Sequence, residues 1–328
     1  MMSEPLPPED IHDLFQRIVD GREFVDTSPL LSENYNRVIR LHRAADTDLV
    51  VKFCVDTDWQ DEIVRDCCLQ RYLAAESNVS VPVVVDSGVV GDEDAYPYFV
   101  TQLCEGSSLA SEYDSLDDRA REDRLYEIGR TLAHVHQSTS FDAPGWIEPN
   151  LDGTLEVDDR QEWKDVLYGI AENKVKTVAG TRFESASKTA LEFVESRLDI
   201  LEQSGPPVVI HGELERDNVI FGPGGEYTFI DWEYSMAAPG EYDLCWAESG
   251  CINDPRNRRE ASYADALFAG YREVRTINDG FYERRQLYRV ITQLDSMVWF
   301  DSWIGDMPHD EDTVAKSLLN GLLQIMKE

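Results

Sequence analysis

The sequence has few basic residues. Its 328 residues include 30 lysines and arginines against 64 aspartates and glutamates, which gives a formal net charge of −34. That charge repels nucleic-acid phosphates and anionic membrane surfaces unless basic residues are concentrated in one patch, and the sequence contains no such patch. We therefore expect neither a nucleic acid nor a membrane as partner. The acidic residues are spread along the whole length, which is typical of a solvated, halophilic-type surface.

Long apolar runs and paired cysteine motifs are also absent. No window approaches the roughly 20 apolar residues of a membrane-spanning helix. Residues 1–5 are acidic and lack the basic and apolar regions of a signal peptide. None of the six cysteines forms a C-x-x-C pair, so we expect reduced, buried residues rather than zinc ligands. Together these absences predict a soluble, cytoplasmic protein.

The N-terminal part is predicted to form a small β-sheet that carries one helix. Apolar runs on both sides of a turn at 45–48 indicate a hairpin, whose second strand ends near a single lysine, Lys52. Apolar residues at helical spacing follow directly, and two further apolar runs flank a turn at 88–97. The predicted elements are a hairpin over 38–53, a helix over 61–73, and strands over 81–85 and 98–101.

Helical periodicity dominates the rest of the chain, beginning with an amphipathic helix around Leu125. One β-rich segment, over 207–230, interrupts this pattern. A short hinge at 104–108 separates the two parts. We therefore expect an α+β fold with two lobes, residues 1–104 and residues 105–328.

The β-rich segment contains the polar residues that can carry chemistry. It reads His-Gly-Glu-Leu-Glu-Arg-Asp-Asn over 211–218, then a hairpin, then Ile-Asp-Trp-Glu over 230–233. Phosphoryl transfer requires a carboxylate near the attacking hydroxyl and oxygen ligands for magnesium, all at one point between rigid elements. A loop followed by a tight hairpin is expected to bring Glu213, Asn218 and Asp231 together in this way.

These two motifs resemble the signature of the aminoglycoside phosphotransferase and choline kinase superfamily. That signature is H-G-D-x-x-x-x-N, followed after a hairpin by I-D-W or I-D-F. The resemblance extends over most of the chain and implies a protein-kinase-like fold, in which lobe 1–104 binds the nucleotide and lobe 105–328 carries the catalytic loop and the acceptor pocket. It also implies Mg²⁺-dependent transfer of the γ-phosphate of ATP or GTP to a hydroxyl of a small metabolite or an aminoglycoside-like compound.

The resemblance implies a role for each motif residue. Asn218 and Asp231 would hold the magnesium ion, and Glu213 would accept or orient the proton of the substrate hydroxyl. His211 would order the backbone of the catalytic loop through hydrogen bonds rather than titrate. Asp243, which matches the second aspartate of the family's G-D-P-x-x-D-L-A motif, would be the structural anchor of that loop.

The same resemblance implies a nucleotide site in the N-terminal lobe. Lys52 would pair with the nucleotide phosphates, and Asp66, on the following helix, would be its ion-pair partner. Glu62 lies four residues earlier on the same helical face, so it is the alternative partner. The loop at 31–37 contains no glycine, unlike the corresponding loop of protein kinases. The remaining candidates are Ser32 and Asn36 for phosphate binding, and the hinge residues Gln102, Leu103 and Cys104 for a backbone contact with adenine.

Glu213 departs from the family pattern, which has an aspartate at this position. One added methylene displaces the carboxylate by about a bond length, and a misplacement of about 1 Å can lower the rate about 100-fold. A nucleotide-binding regulator on the same fold is therefore the alternative function. A protein kinase is disfavoured because few residues separate Asp231 from the segment 239–244, which leaves no room for an activation segment.

The sequence does not identify the acceptor molecule. Amino-alcohols, homoserine, methylthioribose, other sugars and aminoglycoside-like compounds are candidates from the resemblance. The residues that choose among them are expected in helical segments near 163–176 and 288–303. The pattern also leaves ATP and GTP, and a monomer and a homodimer, as open alternatives.

Overall fold

The computed structural model describes residues 8–32, 36–56, 59–91, 95–149, 155–157, 161–252, 260–306 and 310–328. The α-helices in these residues are α1 (Pro8–Val19), α2 (Gln60–Glu76), α3 (Leu109–Tyr113), α4 (Asp118–Gln137), α5 (Trp163–Thr177), α6 (Glu184–Glu195), α7 (Gly240–Ile252), α8 (Glu260–Val274), α9 (Phe281–Val298), α10 (Phe300–Trp303) and α11 (Glu311–Ile325). Short 3-10 helices lie at Leu198–Gln203 and Ile304–Asp306. The strands are β1 (Asp26–Ser32), β2 (Asn36–His42), β3 (Leu49–Cys54), β4 (Val84–Val90), β5 (Tyr96–Gln102), β6 (Ser107–Ser108), β7 (Gly145–Pro149), β8 (Leu155–Val157), β9 (Pro207–Ile210), β10 (Val219–Phe221), β11 (Tyr227–Phe229) and β12 (Met236–Pro239). Among these described helices, none combines the length and the apolar character that crossing a bilayer requires.

Two compact units make up the chain, and each is built from separate segments of the sequence. The first unit contains Met1–Leu116, Ile147–Glu156 and Arg216–Ser235, and the second contains Asp117–Trp146, Val157–Glu215 and Met236–Glu328. The motif segment is therefore shared, because Asn218 and Asp231 belong to the first unit and Glu213 belongs to the second. The lobe boundary expected at residue 104 stays a prediction.

The first unit contains a five-stranded antiparallel sheet with the order β1-β2-β3-β5-β4. Both faces of the central strand, β3, are buried. Val51 and Phe53 pack against α1 on one face, and Cys54 packs with Ile63 of α2 on the other. Because side chains alternate across a strand, Lys52 lies on the same face as Cys54. This register directs the lysine toward α2.

The predicted hairpin, the helix after it and the strand at 98–101 are confirmed as β2, β3, α2 and β5. The strand predicted at 81–85 is wrong at its start, because β4 begins only at Val84. The turn predicted at 88–97 is wrong at its start, because β4 continues through Gly88 as far as Val90. Gly88 pairs with Tyr98 across the sheet, and a Cβ at Gly88 would lie 3.0 Å from the Tyr98 hydroxyl oxygen. The glycine therefore makes room for a cross-strand tyrosine instead of forming a turn. Helix α1 is an addition to the predicted elements. The loop predicted at 31–37 is wrong at both ends, because Leu31 and Ser32 belong to β1 and Asn36 and Arg37 belong to β2.

The β-rich segment predicted at 207–230 does not form one sheet. Strands β10 and β11 form a hairpin in the first unit, and β10 also pairs with β6. Strand β9 belongs to the second unit, where it pairs with β12, which in turn pairs with β7. Short apolar runs predict strands but not their partners, because pairing depends on contacts between distant parts of the chain.

Two glycines allow α4 and α8 of the second unit to pack at close range. A Cβ at Gly129 would lie 2.0 Å from the carbonyl oxygen of Leu267, and a Cβ at Gly270 would lie 1.8 Å from that of Tyr126. A side chain at either position would push the two helices apart. The two glycines therefore set the distance between these helices.

We expect Gly129→Ala to lower the free energy of unfolding by about 1–3 kcal/mol, because the added methyl group overpacks the contact between α4 and α8. Gly169→Ala in α5 is the matched control, since no atom lies within 4 Å of a Cβ built there. Alanine there should favour the helix by about 1 kcal/mol relative to glycine. Urea unfolding of both variants checks the prediction, and a stability change of the same sign and size in both would contradict it.

Candidate active site

Lys52 of β3 is buried among three carboxylates of the first unit. Its side chain is only 9% exposed, and its Nζ lies 3.0 Å from Asp66 Oδ2 and 2.7 Å from Glu233 Oε2. Nζ also contacts Asp231 Oδ1. Burial alone would lower the pKa of Lys52, but the attraction of the three carboxylates outweighs burial and raises this pKa well above its ordinary value. The lysine is therefore a fixed positive charge that faces three acidic groups.

Asp66 of α2 is held in place by two further hydrogen bonds. Its Oδ1 accepts one from Gln70 Nε2 at 2.6 Å and one from the backbone N–H of Trp232 at 3.1 Å. Gln70 lies one helical turn after Asp66, so the two side chains meet on one face of α2. These bonds leave Oδ2 for Lys52 and fix the direction of the ion pair.

Glu62, the alternative partner, makes no ion pair with Lys52 in the described part of the chain. Its Oε2 is buried and has no hydrogen-bond partner among the described residues. Burial raises the pKa of Glu62 to about 7, although the charges of Arg65 and Lys52 favour the ionised form. Of the two acids on this face of α2, Asp66 is therefore the one that reaches the lysine.

Asp231 follows β11 in a strained backbone conformation. Its φ is 69°, and no other non-glycine residue within the described ranges has a positive φ. Aspartate tolerates this left-handed region better than most residues, and such strain is common at functional sites. Asp231 and Glu233 both bind Lys52, whereas Trp232 between them is fully buried and donates its N–H to Asp66. A single turn therefore places two carboxylates in contact with the lysine.

Glu233 belongs to this cluster, although the sequence motif alone assigns it no role. Its Oε2 accepts hydrogen bonds from Lys52 and, at 2.9 Å, from Asn36 Nδ2, and its backbone carbonyl accepts one from Arg65 at 2.8 Å. Burial is the main reason why the pKa of Glu233 is raised to about 8, with the charge of Asp231 acting in the same direction against the attraction of Lys52. The available signal in the sequence is an acid two residues after Asp231.

The three carboxylates form a candidate cation site. One oxygen from each of Asp66, Asp231 and Glu233 can be chosen so that all three lie within 4.8 Å of one another. Asn218, the other predicted ligand, lies across the hairpin, where its backbone carbonyl accepts the N–H of Ile230 at 3.0 Å. That bond places Asn218 beside the residue that precedes Asp231. Carboxylate and amide oxygens are the ligands that Mg²⁺ prefers.

Of the two residues predicted for phosphate binding, the structure describes the side chain of Asn36 but not that of Ser32. Asn36, the first residue of β2, is 2% exposed and is joined to the cluster through its hydrogen bond to Glu233. Ser32 ends β1, but its side chain lies outside the described residues, as does the loop at 33–35. The structure therefore brings Asn36 to the candidate site, and the role of Ser32 stays a prediction.

The hinge residues lie at and just after the end of β5. The backbone N–H of Gln102 donates to the carbonyl of Val83 at 3.0 Å, and that of Leu103 donates to the carbonyl of Asp48 at 2.8 Å. Both donors are thus used inside the first unit, so a contact with adenine would use carbonyl groups or the N–H of Cys104. Cys104 is half-buried, and burial raises the pKa of its thiol to about 11, which keeps the thiol protonated at neutral pH.

In the second unit, Asp243 holds the loop that contains Glu213. The Asp243 side chain is fully buried, and its two oxygens accept the backbone N–H groups of His211 at 2.8 Å and of Gly212 at 3.0 Å. Gly212 has a φ of 84°, a conformation that glycine adopts readily. Glu213 follows directly, with a half-buried side chain. These are the contacts expected of a loop anchor, whereas the catalytic role of Glu213 stays a prediction.

His136 of α4 supports Asp243 from the other side. Its Nε2 lies 3.1 Å from Asp243 Oδ2, and its Nδ1 lies 2.9 Å from the hydroxyl oxygen of Tyr271. Burial lowers the pKa of His136, although its hydrogen bond to Asp243 acts in the opposite direction. A neutral ring fits this geometry, because Nε2–H then donates to Asp243 and Nδ1 accepts from Tyr271. Three donors therefore satisfy the buried aspartate.

The segments expected to choose the acceptor lie in α5, α9 and α10 of the second unit. Trp163 of α5 donates from Nε1 to the hydroxyl oxygen of Tyr288 at 3.1 Å. Both rings pack on Tyr242, with ring centroids 5.2 Å apart in each pair. All three side chains are buried, so these aromatic residues stabilise the core of the unit.

Comparison with known proteins shows the family to which this chain belongs. The sequence profile of the phosphotransferase enzyme family (APH) matches residues 26–279. A probable ketoamine kinase of Synechocystis is 22% identical over 194 residues, and the match spans 57% of this chain but only 62% of that relative. A probable ketoamine kinase of Klebsiella aerogenes is 25% identical over 230 residues, which span 68% of this chain and 69% of the relative.

Solved structures of an amicoumacin kinase and of an aminoglycoside phosphotransferase share the fold of this chain. The amicoumacin kinase hAmiN, in complex with AMP-PNP, Ca²⁺ and Ami, superposes with a TM-score of 0.69 at 14% identity, over 97% of this chain and 93% of that chain. An apo form of the aminoglycoside phosphotransferase APH(4)-Ia superposes with a TM-score of 0.66 at 16% identity, over 96% and 98%. The expected α+β fold, with an N-terminal sheet and a mainly helical C-terminal part, is confirmed. The chain belongs to the phosphotransferase enzyme family.

Proposed function

We propose that this chain is a kinase that transfers the γ-phosphate of ATP or GTP to a hydroxyl group of a small-molecule acceptor. The observation that carries the proposal is the buried cluster in which Lys52 faces Asp66, Asp231 and Glu233. A cation fixed beside several oxygen ligands is what binding a nucleotide triphosphate with its metal ion requires. Burying such a cluster is costly because each charge loses its hydration, and buried ionisable groups of this kind are concentrated at functional sites.

The residues of the cluster fit a divalent cation. Three acidic side chains face a single ammonium group, and Asn36 Oδ1 is a buried oxygen without a hydrogen-bond partner among the described residues. Acceptors therefore outnumber donors, and the acceptors are oxygen atoms of the type that Mg²⁺ binds. Asn218 and Asp231 would hold this ion, which would supply positive charge for the phosphate oxygens during transfer.

The protein's own residues then have distinct tasks. Lys52 would leave part of its contact with the carboxylates and bind the nucleotide phosphates, while Asp66 keeps the ammonium group in place. Glu213 would accept or orient the proton of the acceptor hydroxyl. Asp243 fixes the backbone just before Glu213 through its bonds to His211 and Gly212.

The acceptor class is a hydroxyl-bearing small molecule. The matched relatives and structures are named as ketoamine kinases, an amicoumacin kinase and aminoglycoside phosphotransferases, so their acceptors differ among themselves. Sugars and amino-sugars are therefore the first compounds to test. The alternative function, a nucleotide-binding regulator, is favoured by one observation, the glutamate at position 213 where the family signature has aspartate.

We expect Asp231→Asn to lower phosphate transfer at least about 100-fold, because the variant keeps the shape of the side chain but loses the charge that would hold the metal ion. Asp20→Asn, at an exposed aspartate beside α1, removes the same charge without touching the site and should leave the rate unchanged. Steady-state assays with ATP or GTP and a panel of sugars and amino-sugars make the comparison. Equal rates in the two variants would remove Asp231 from the proposed mechanism.

A further inference from the structure

Asn36 is a buried amide at the edge of the carboxylate cluster. It is 2% exposed, it begins β2, and it pairs with Cys54 of β3 in the sheet. Its Nδ2 donates to Glu233 Oε2 at 2.9 Å, and the same carboxylate oxygen accepts from Lys52 Nζ at 2.7 Å. The amide and the lysine therefore hold Glu233 from two directions.

In the structure the nitrogen of this amide faces Glu233 Oε2. This orientation suits an ionised Glu233, whose oxygen accepts bonds from both Lys52 and Asn36. Oδ1 then has to point away from that bond. Oδ1 is buried and finds no hydrogen-bond partner in the part of the chain that the structure describes. A buried carbonyl oxygen without a partner is unfavourable unless a ligand satisfies it.

The same pattern recurs at a second amide, that of Gln70. Gln70 donates from Nε2 to Asp66 Oδ1 at 2.6 Å, and its Oε1 is likewise buried without a partner among the described residues. Both amides therefore donate hydrogen bonds to carboxylates, whereas their carbonyl oxygens have no partner among the described residues. A site with this surplus of acceptors suits a cation or the water molecules that a cation carries.

We propose that Asn36 is a positioning residue of the cation site, which holds Glu233 in the cluster through Nδ2 and offers Oδ1 to the hydration shell of a divalent cation. The inference rests on the proposed function, because the cation is the one that would accompany the nucleotide. Asn36 lies in β2. The other residues of the site lie in β3, in α2 and next to the hairpin of β10 and β11.

Binding of Mn²⁺, followed by electron paramagnetic resonance with and without ADP, tests this inference without an activity assay. We expect Asn36→Ala to weaken Mn²⁺ binding about tenfold, because side chains that support metal ligands typically contribute this much. Asn36→Leu keeps roughly the volume of the side chain and removes both polar groups, so it should weaken Mn²⁺ binding to a similar extent. A merely structural hydrogen bond would change the metal-free stability of these variants and leave their Mn²⁺ affinity unchanged.

Ser80→Ala is the matched control, since Ser80 makes a hydrogen bond of 2.7 Å to Thr228 in the same unit and touches no carboxylate of the cluster. It should bind Mn²⁺ as the wild type does. Unchanged Mn²⁺ affinity in either folded variant would overturn the inference, and Asn36→Leu keeps the test decisive if the alanine variant does not fold. If the wild type binds no Mn²⁺ even with ADP, the proposed function falls together with the inference.

Discussion

Replacing Glu213 by glutamine should lower kcat for phosphate transfer by about 10²–10⁴-fold, the usual contribution of a positioned acid or base. Glutamine keeps the length of the side chain and the loop geometry that Asp243 fixes, but it accepts protons poorly. The affinity for nucleotide should stay near that of the wild type, because Lys52 and the carboxylate cluster are unchanged. Stopped assays of transfer and equilibrium binding of a fluorescent nucleotide measure the two effects separately.

Two companion variants give this prediction its controls. Glu215→Gln changes an exposed acid two residues further along the same loop and should leave kcat unchanged. Glu213→Asp restores the carboxylate of the family signature and should retain measurable transfer. If Glu213→Gln transferred phosphate as fast as the wild type, the carboxylate would have no part in the reaction. If no form transferred phosphate while all of them bound nucleotide, the regulator would become the better account.

Replacing Lys52 by methionine should lower the free energy of unfolding by about 3–5 kcal/mol, because it leaves buried carboxylates without their cation. The same variant should lose most of its phosphate transfer, since it lacks the ammonium group that is proposed to bind the nucleotide phosphates. Lys188→Met, at an exposed lysine that pairs with Glu184 on the surface of α6, should change stability little. Guanidinium unfolding of the two variants without metal ions makes the comparison.

The stability loss in Lys52→Met should depend on pH in a defined direction. Without the ammonium group, the pKa of Glu233, which burial already raises, rises further in the folded protein above its value in the unfolded chain. The folded state then takes up protons more readily as the pH falls, so the loss should be largest near pH 8 and smaller near pH 5. A loss of the same size at both pH values, or no loss at all, would mean that Lys52 does not balance the charge of these acids.

Sequence reasoning located much of this cluster. The family resemblance, carried by the motif that contains Asp231, implies roles for both Asp231 and Lys52, and the position of Lys52 on a strand just before a helix fits that role. Helical spacing placed Asp66 and Glu62 on one face of α2 but could not choose between them. The choice depends on Gln70 and the N–H of Trp232, which fix Asp66, and on a turn that lies far away in the sequence.

The place of Glu233 in the cluster could not be predicted from the sequence alone. The chain has 64 acidic residues, so one further acid next to a motif carries little local information. What distinguishes Glu233 is its burial against Lys52 and Asn36, and burial of a charged side chain is a property of the packed chain. Strand β9 pairs with β12 and not with β10 or β11. This pairing could not be predicted either, because a short apolar run does not identify its partner strand.

The most direct test of the central claim is a ³¹P nuclear magnetic resonance measurement on the wild type with Mg²⁺, ATP or GTP, and a panel of sugars and amino-sugars. The account predicts a new phosphomonoester signal on at least one acceptor, formed together with the nucleoside diphosphate and absent with Asp231→Asn. A folded wild-type protein that yields no phosphomonoester with any acceptor, or a signal that persists in Asp231→Asn, would contradict it.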